Sequence, residues 1–251
     1  MTLLLFTPQL IHAQEILITK SPTMNKLILD GKWTHKNEWK ESAHKQFSFG
    51  EKESIHLRTA HSDNFIYFLF DYVTDTKIDT NMDRAVICLE PNDEKKMSST
   101  QNDYCFMIIM NGKQTHVLQG GSNNAISGNF KKVNLDGFIG IGSTSDKADR
   151  YSKTPHASYE FKIPTDIVGR SSVYGFYFYV YDYSSDQIFS WPGGKSTNNF
   201  SIPPPNSWGT LISPDKTLPE FSFSIIFPIL FSLLAGFFVL TKSKFINIRT
   251  Y

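Results

Sequence analysis

Residues 221–240 form a run of twenty residues without a single charge, and that run constrains the chain more than any other feature. At about 1.5 Å of rise per residue, a helix of this length covers roughly 30 Å, the hydrocarbon thickness of a bilayer. Pro228 and Gly236 fall inside it, and membrane helices tolerate both. Lys242, Lys244 and Arg249 come directly after it, and basic residues gather on the cytoplasmic side of a span. The expectation is a C-terminal transmembrane helix over 221–240, a basic cytoplasmic tail over 241–251, and a globular body on the extracellular face of the cell membrane. A buried core helix fits poorly, because the tail after the run is too short to wrap it. At the other end, residues 1–13 carry the apolar stretch Leu3-Leu4-Leu5-Phe6, yet no Lys or Arg precedes Lys20. A secretory signal has a basic start and a longer apolar region, so this stretch reads as a truncated signal peptide.

Between these ends lie about 200 residues, enough for one domain with a sizeable core. Three of the 25 Lys and Arg fall in the tail and all 24 Asp and Glu precede it, so the body is acidic by two charges. That disfavours nucleic acid as a partner, which calls for a basic face. Aromatic residues make up 14% of the chain; strands favour them, and so do surfaces that stack on flat ligands.

The apolar pattern is that of strands. Residues 54–61 alternate apolar and polar, Ser62-Asp63-Asn64 turns, and 65–73 forms a second strand whose two faces are both apolar. Further strands are expected at 84–90, 104–110, 114–118, 138–142, 156–163 and 174–182, with Asn111-Gly112 as a tight-turn signal. Only 37–44 and 165–169 suggest helical turns. Many short strands separated by turn chemistry predict an all-β fold, an antiparallel two-sheet β-sandwich of jelly-roll or immunoglobulin-like type. Residues 201–219 hold five prolines and read as a stiff exit, with 213–220 as the linker to the membrane.

Several segments then combine into a resemblance. Leu29-Asp30-Gly31-Lys32-Trp33 with Glu38-Trp39 and Ala43, then Asp63-Asn64-Phe65-Ile66-Tyr67 leading to Asp71, then Ala157-Ser-Tyr-Glu160-Phe-Lys-Ile-Pro164, stand in order. Gly175-Phe176, Asp182, Trp191-Pro192 and Trp208-Gly209 come after them. Together, over residues 26–212, they resemble the family 9 carbohydrate-binding modules and their DOMON-like relatives. The resemblance implies a β-sandwich that binds a glycan and carries no catalysis. Separately, Pro219-Glu220-Phe221 ahead of an apolar run and a basic end resembles the C-terminal sorting signals of archaea and some bacteria, which implies that a transpeptidase exchanges the anchor.

The candidate ligand-binding residues are aromatic. Trp191 and Trp208 flank Gly- and Pro-rich loops, where an indole either stacks on the C–H patch of a sugar ring or anchors its loop. Tyr177, Tyr179 and Tyr181 share one face of a strand, with Phe176, Phe178 and Val180 on the other. The tyrosines either pave an exposed platform or pack under a loop. Asp71, Asp75, Asp79 and Asp83 cluster around one turn and Asp103 precedes a later strand. Asp71, Asp75, Asp83 and Asp103 are candidate ligands for structural calcium, which the resemblance implies and which hard oxygen donors suit; solvated surface acids are the alternative. Cys88 and Cys105 sit on strands joined by one polar loop and are expected to form a disulfide, against the alternative of two buried thiols. No GxSxG, HExxH, P-loop or zinc-type Cys/His spacing occurs, so the chain reads as a binding module and not an enzyme. Two rival readings remain: an envelope-structural or adhesion domain without a small ligand, and a haem-binding redox module using Met82, Met97, Met107 or Met110 with His116.

Overall fold

The computed structural model describes residues 15–112, 115–123, 129–197 and 200–214. These all fall within Met1–Leu218, the first of the two compact units into which the chain divides. The signal-like stretch, the linker beyond Pro214, the apolar run 221–240 and the basic tail lie outside the described residues. Among the described residues no helix is long and apolar enough to cross a membrane.

Among the described residues the regular structure is mostly strand: β1 (Glu15–Leu17), β2 (Thr19–Lys20), β3 (Ala43–Phe49), β4 (Glu53–Ser62), β5 (Phe65–Tyr72), β6 (Arg84–Pro91), β7 (Tyr104–Ile109), β8 (Thr115–Gln119), β9 (Lys131–Val133), β10 (Ile139–Thr144), β11 (Ala157–Pro164), β12 (Val173–Asp182), β13 (Gln187–Trp191), β14 (Gly194–Ser196) and β15 (Gly209–Ile212). A short helix, α1 (Thr165–Val168), comes directly after Pro164, and 3-10 turns occur at Pro22–Lys26 and Pro205–Ser207. The first sheet runs β1-β15-β12-β6-β7-β8-β9, with β13 and β14 continuing from β12. The second runs β10-β11-β5-β4-β2, with β3 also on β4. Pairing is antiparallel except for β1 with β15 and β2 with β4.

The strand expectations for 54–61, 65–73, 84–90, 104–110, 156–163 and 174–182 coincide with β4, β5, β6, β7, β11 and β12. The helical turn at 165–169 is α1. The one expected at 37–44 is instead a run of turns that enters β3.

The inner faces of the two sheets meet in an aromatic core. Phe68 stacks on Phe176 at 5.4 Å and Phe70 packs on Phe178 at 4.8 Å, and all four side chains are fully buried. Burial of such rings removes on the order of 150–250 Å² of surface each and supplies most of the stabilisation. Both outer faces are covered as well. Over the first sheet, Phe130, Ile202 and Trp208 close on Val86, Tyr177, Tyr179 and Tyr181. Over the second, Met24, Trp33 and Trp39 close on Ala60, Tyr67 and Leu69. This is why the central strands read as apolar on both sides.

Residues 201–213 therefore do not leave the domain. Ile202, Pro205 and Trp208 are buried, and β15 pairs with β12 and β1. The expected stiff exit gives way, up to Ser213, to a structural lid and an integral strand.

Candidate functional site

Cys88 and Cys105 face each other directly in the β6–β7 register and are bonded, with Cα atoms 4.0 Å apart. The hairpin between them is the one the sequence suggested. The disulfide lies on the outer face of the first sheet, beside the buried tyrosines.

The candidate aromatics are brought together, but not for solvent. Tyr177, Tyr179 and Tyr181 are only 3–5% exposed. Tyr177 lies 6.3 Å from Trp208, and Tyr181 lies 4.8 Å from Phe200. Burial pushes the Tyr177 phenol up to about 12 and raises Tyr179 further. The open-platform reading thus yields to its alternative: the tyrosines pack under a loop. Trp208 donates from Nε1 to Pro203 O at 2.8 Å and pins that loop. Trp191 faces the sandwich core between Phe47, Phe176 and Phe178. Its indole lies over Gly209, where a Cβ would stand 2.2 Å from Cη2.

The opening motif is structural. Glu160 of β11, fully buried, accepts hydrogen bonds from Trp39 Nε1 (2.9 Å), Gly31 N (2.9 Å) and Asp30 N (3.0 Å). Glu38 accepts from Ile28 N (3.0 Å) and Thr34 N (2.8 Å). Gly31 has φ +86°, a left-handed conformation, and a Cβ there would meet Ser143 and Ile141. Burial pushes Glu160 up to about 8, against the three donors that favour its charged form.

The acidic residues sort into separate groups. Asp75, Asp83 and Asp182 are buried and present ligand atoms within 4.8 Å of one another. Asp83 accepts from Tyr183 N at 2.9 Å and Asp79 N at 2.6 Å, while Asp182 accepts from Ser184 N at 2.8 Å. Asp75 Oδ2 is buried without a hydrogen-bond partner. Desolvation, then repulsion from Asp83 and Asp182, raises Asp75 to about 8; desolvation raises Asp83 to about 6. Three enclosed oxygen donors with an unpartnered lone pair fit a hard divalent cation. The four residues expected as a calcium set do not stand together. Asp71 belongs to a different group with Asp149 and His156. Asp103 stands near Glu90 instead, whose carboxyl is raised first by desolvation and then by the charge of Asp103. Asp182 is the ligand candidate that sequence reading missed; its link to Asp83 spans 99 positions and only the fold makes it.

Among the described residues the candidate haem ligands stand apart from one another or share one sheet face. Met110 is inside the sandwich, whereas Met82 and Met97 are 39% and 77% exposed. Met107 and His116 are cross-strand neighbours on one sheet face, so they cannot bracket a porphyrin from its two sides.

An open cleft of about 620 Å³ lies between the β3–β4 turn and the β13–β14 hairpin. Ser48, Phe49, Glu51, Lys52, Glu53 and Lys195 line it. Phe49 is half-buried, backed by Phe189 at 5.4 Å, and so presents part of its ring among carboxylates and ammonium groups.

The architecture is the β-sandwich of the family 9 carbohydrate-binding modules. One solved structure from Caldicellulosiruptor kristjanssonii shares it, and a second from the same organism is similar at a lower TM-score. One is a family 9 module in complex with cellotriose: TM-score 0.53, 12% identity, covering 83% of this chain and all of the module. The other is a family 9 module in complex with glucose: TM-score 0.48, 15% identity, covering 80% of this chain and 95% of the module. No protein-family model matches the chain, and no curated protein matches it.

Proposed function

We propose that the chain is a membrane-anchored, non-catalytic carbohydrate-binding domain that holds a glycan at the outer cell surface. The observation that supports it most is the likeness in fold over the whole length of a module whose solved structure holds cellotriose. The cleft at Phe49 is the proposed sugar site. A ring face there meets the C–H patch of a pyranose, and Glu51, Glu53, Lys52 and Lys195 take its hydroxyls. Asp75, Asp83 and Asp182 hold a structural calcium ion near the end of β12. The apolar run 221–240 spans the membrane with the basic tail in the cytoplasm, and Pro219-Glu220-Phe221 marks the point where the anchor is exchanged.

The test is a glycan array, including glucose and cellotriose, probed with the full-length chain in detergent. Binding is expected, and Phe49→Ala should weaken it more than about tenfold while thermal melting stays cooperative. If the array shows no binding, the adhesion or envelope-structural reading stands instead. The burial of all four tryptophans, at 0–9% exposure, favours that second reading. Membrane fractionation and the mass of the mature C-terminus test the anchor independently.

A further inference from the structure

We propose that the outer face of the second sheet contains a transition-metal site of the zinc type, formed by Asp71, Asp149 and His156 and distinct from the calcium site. Asp71 lies near the end of β5, His156 immediately precedes β11, and Asp149 stands on the loop between β10 and β11. All three are at most 1% exposed, and their ligand atoms lie within 4.8 Å of one another.

The imidazole is oriented as a ligand. His156 Nδ1 lies 2.7 Å from Thr154 O. A carbonyl only accepts, so Nδ1 carries the hydrogen and a neutral imidazole turns the Nε2 lone pair the other way. That lone pair faces Asp71 Oδ1, in direct contact, and Asp149 Oδ1 at 4.0 Å. In this tautomer Nε2 and two carboxylates are all acceptors, and their convergence calls for a proton or a metal cation between them. A backbone carbonyl holding the far nitrogen is the usual outer-shell partner of a metal-bound histidine.

Two further observations point to a ligand. Asp71 Oδ2 and Asp149 Oδ2 are both buried with no hydrogen-bond partner. Asp149 Oδ1, by contrast, is fixed by Tyr151 N at 2.7 Å and Ser152 N at 2.9 Å, which locks the loop carboxylate in place. Charge gives the same answer: two carboxylates and a neutral imidazole balance one dication, whereas an imidazolium alone leaves one buried negative charge over. Donors about 2.1 Å from a tetrahedral ion stand roughly 3.4 Å apart; Nε2 touches Asp71 Oδ1 and lies 4.0 Å from Asp149 Oδ1, so an ion enters as the Asp71 carboxylate draws back from the imidazole. A nitrogen among the donors selects zinc or its first-row neighbours over calcium, which takes oxygens.

Aromatic rings seal the site. Tyr151 stacks on His56 at 3.8 Å, and Arg58 Nε donates to the Tyr151 hydroxyl at 2.6 Å. His56 is the register partner of Asp71 across β4 and β5. A metal here ties the β10–β11 loop to the sheet, so its binding is coupled to folding.

The experiment unfolds and refolds the full-length chain in chelator, then titrates Co²⁺ and Zn²⁺. The expected result is one equivalent of Co²⁺ with visible d–d absorption, displaced by Zn²⁺, and a melting temperature that rises with either metal. Asp149→Asn and His156→Gln should each weaken Co²⁺ binding more than about tenfold. Asp149→Asn keeps the oxygen that accepts from Tyr151 and Ser152, so it remains decisive if His156→Gln fails to fold. An absent Co²⁺ spectrum with melting indifferent to chelator overturns the proposal. So does a spectrum that persists in Asp149→Asn.

Discussion

Asp75→Asn offers the sharpest test of the acidic cluster at the end of β12. In the metal-free folded chain the Asp75 carboxyl titrates near about 8, against an ordinary 3.8. The folded state therefore keeps a proton that the unfolded state releases. The stability this confers is fully present below 3.8 and is lost as pH rises through about 8. At about 1.4 kcal/mol per pH unit, the difference corresponds to a ceiling of about 6 kcal/mol; relaxation and entry of water reduce what is measured to several. Asp83, Asp71 and Glu160 are also raised, to about 6, 7 and 8, so the wild type drifts in the same direction through them. Comparison with the variant cancels that shared drift. Urea unfolding in EDTA should show the advantage of Asp75→Asn growing from about 1.6 kcal/mol at pH 5 towards that ceiling at pH 8.5. Calcium at a hundred times its Kd should restore about 2.7 kcal/mol to the wild type and much less to the variant. Parallel stability curves for the two proteins across this pH range would refute the argument that Asp75 is an uncompensated buried acid.

Two other perturbations test the geometry. Replacing Cys88 and Cys105 by Ser opens a loop of sequence separation 17, which should cost about 3 kcal/mol in the chain-entropy relation; wild-type and variant urea midpoints with equal slopes check it, and a loss under about 1 kcal/mol would show that the β6–β7 pairing already restrains the unfolded chain. Gly209→Ala drives a Cβ to 2.2 Å from the Trp191 indole, which Phe47, Phe176 and Phe178 hold in place; overpacking of this kind costs about 1–3 kcal/mol, read as a lower melting temperature, and an unchanged melt would mean that the indole has room to swing.

Local chemistry determined where the strands run. Alternation and turn residues report the conformation of a few neighbouring positions, so β4, β5, β6, β7, β11 and β12 were legible from them, and the turn between β6 and β7 made Cys88 and Cys105 neighbours. The resemblance at Asp30-Gly31, Trp39 and Glu160 was legible too, although its reason was not: Glu160 gathers Gly31 N and Trp39 Nε1 across more than 120 positions. The outer faces were undecidable from pattern. Tyr177, Tyr179 and Tyr181 are amphipathic, so the same alternation serves an open platform or a covered layer. What covers them is Phe130, Ile202 and Trp208, segments whose return over the sheet no local rule specifies. The carboxylates divide for the same reason. Asp71 and Asp75 are four positions apart, yet Asp71 meets His156 and Asp149 while Asp75 meets Asp83 and Asp182. Side chains on an extended strand and on the turn after it point to different places, and only long-range pairing of β5 with β11 and of β6 with β12 decides which distant partners wait there.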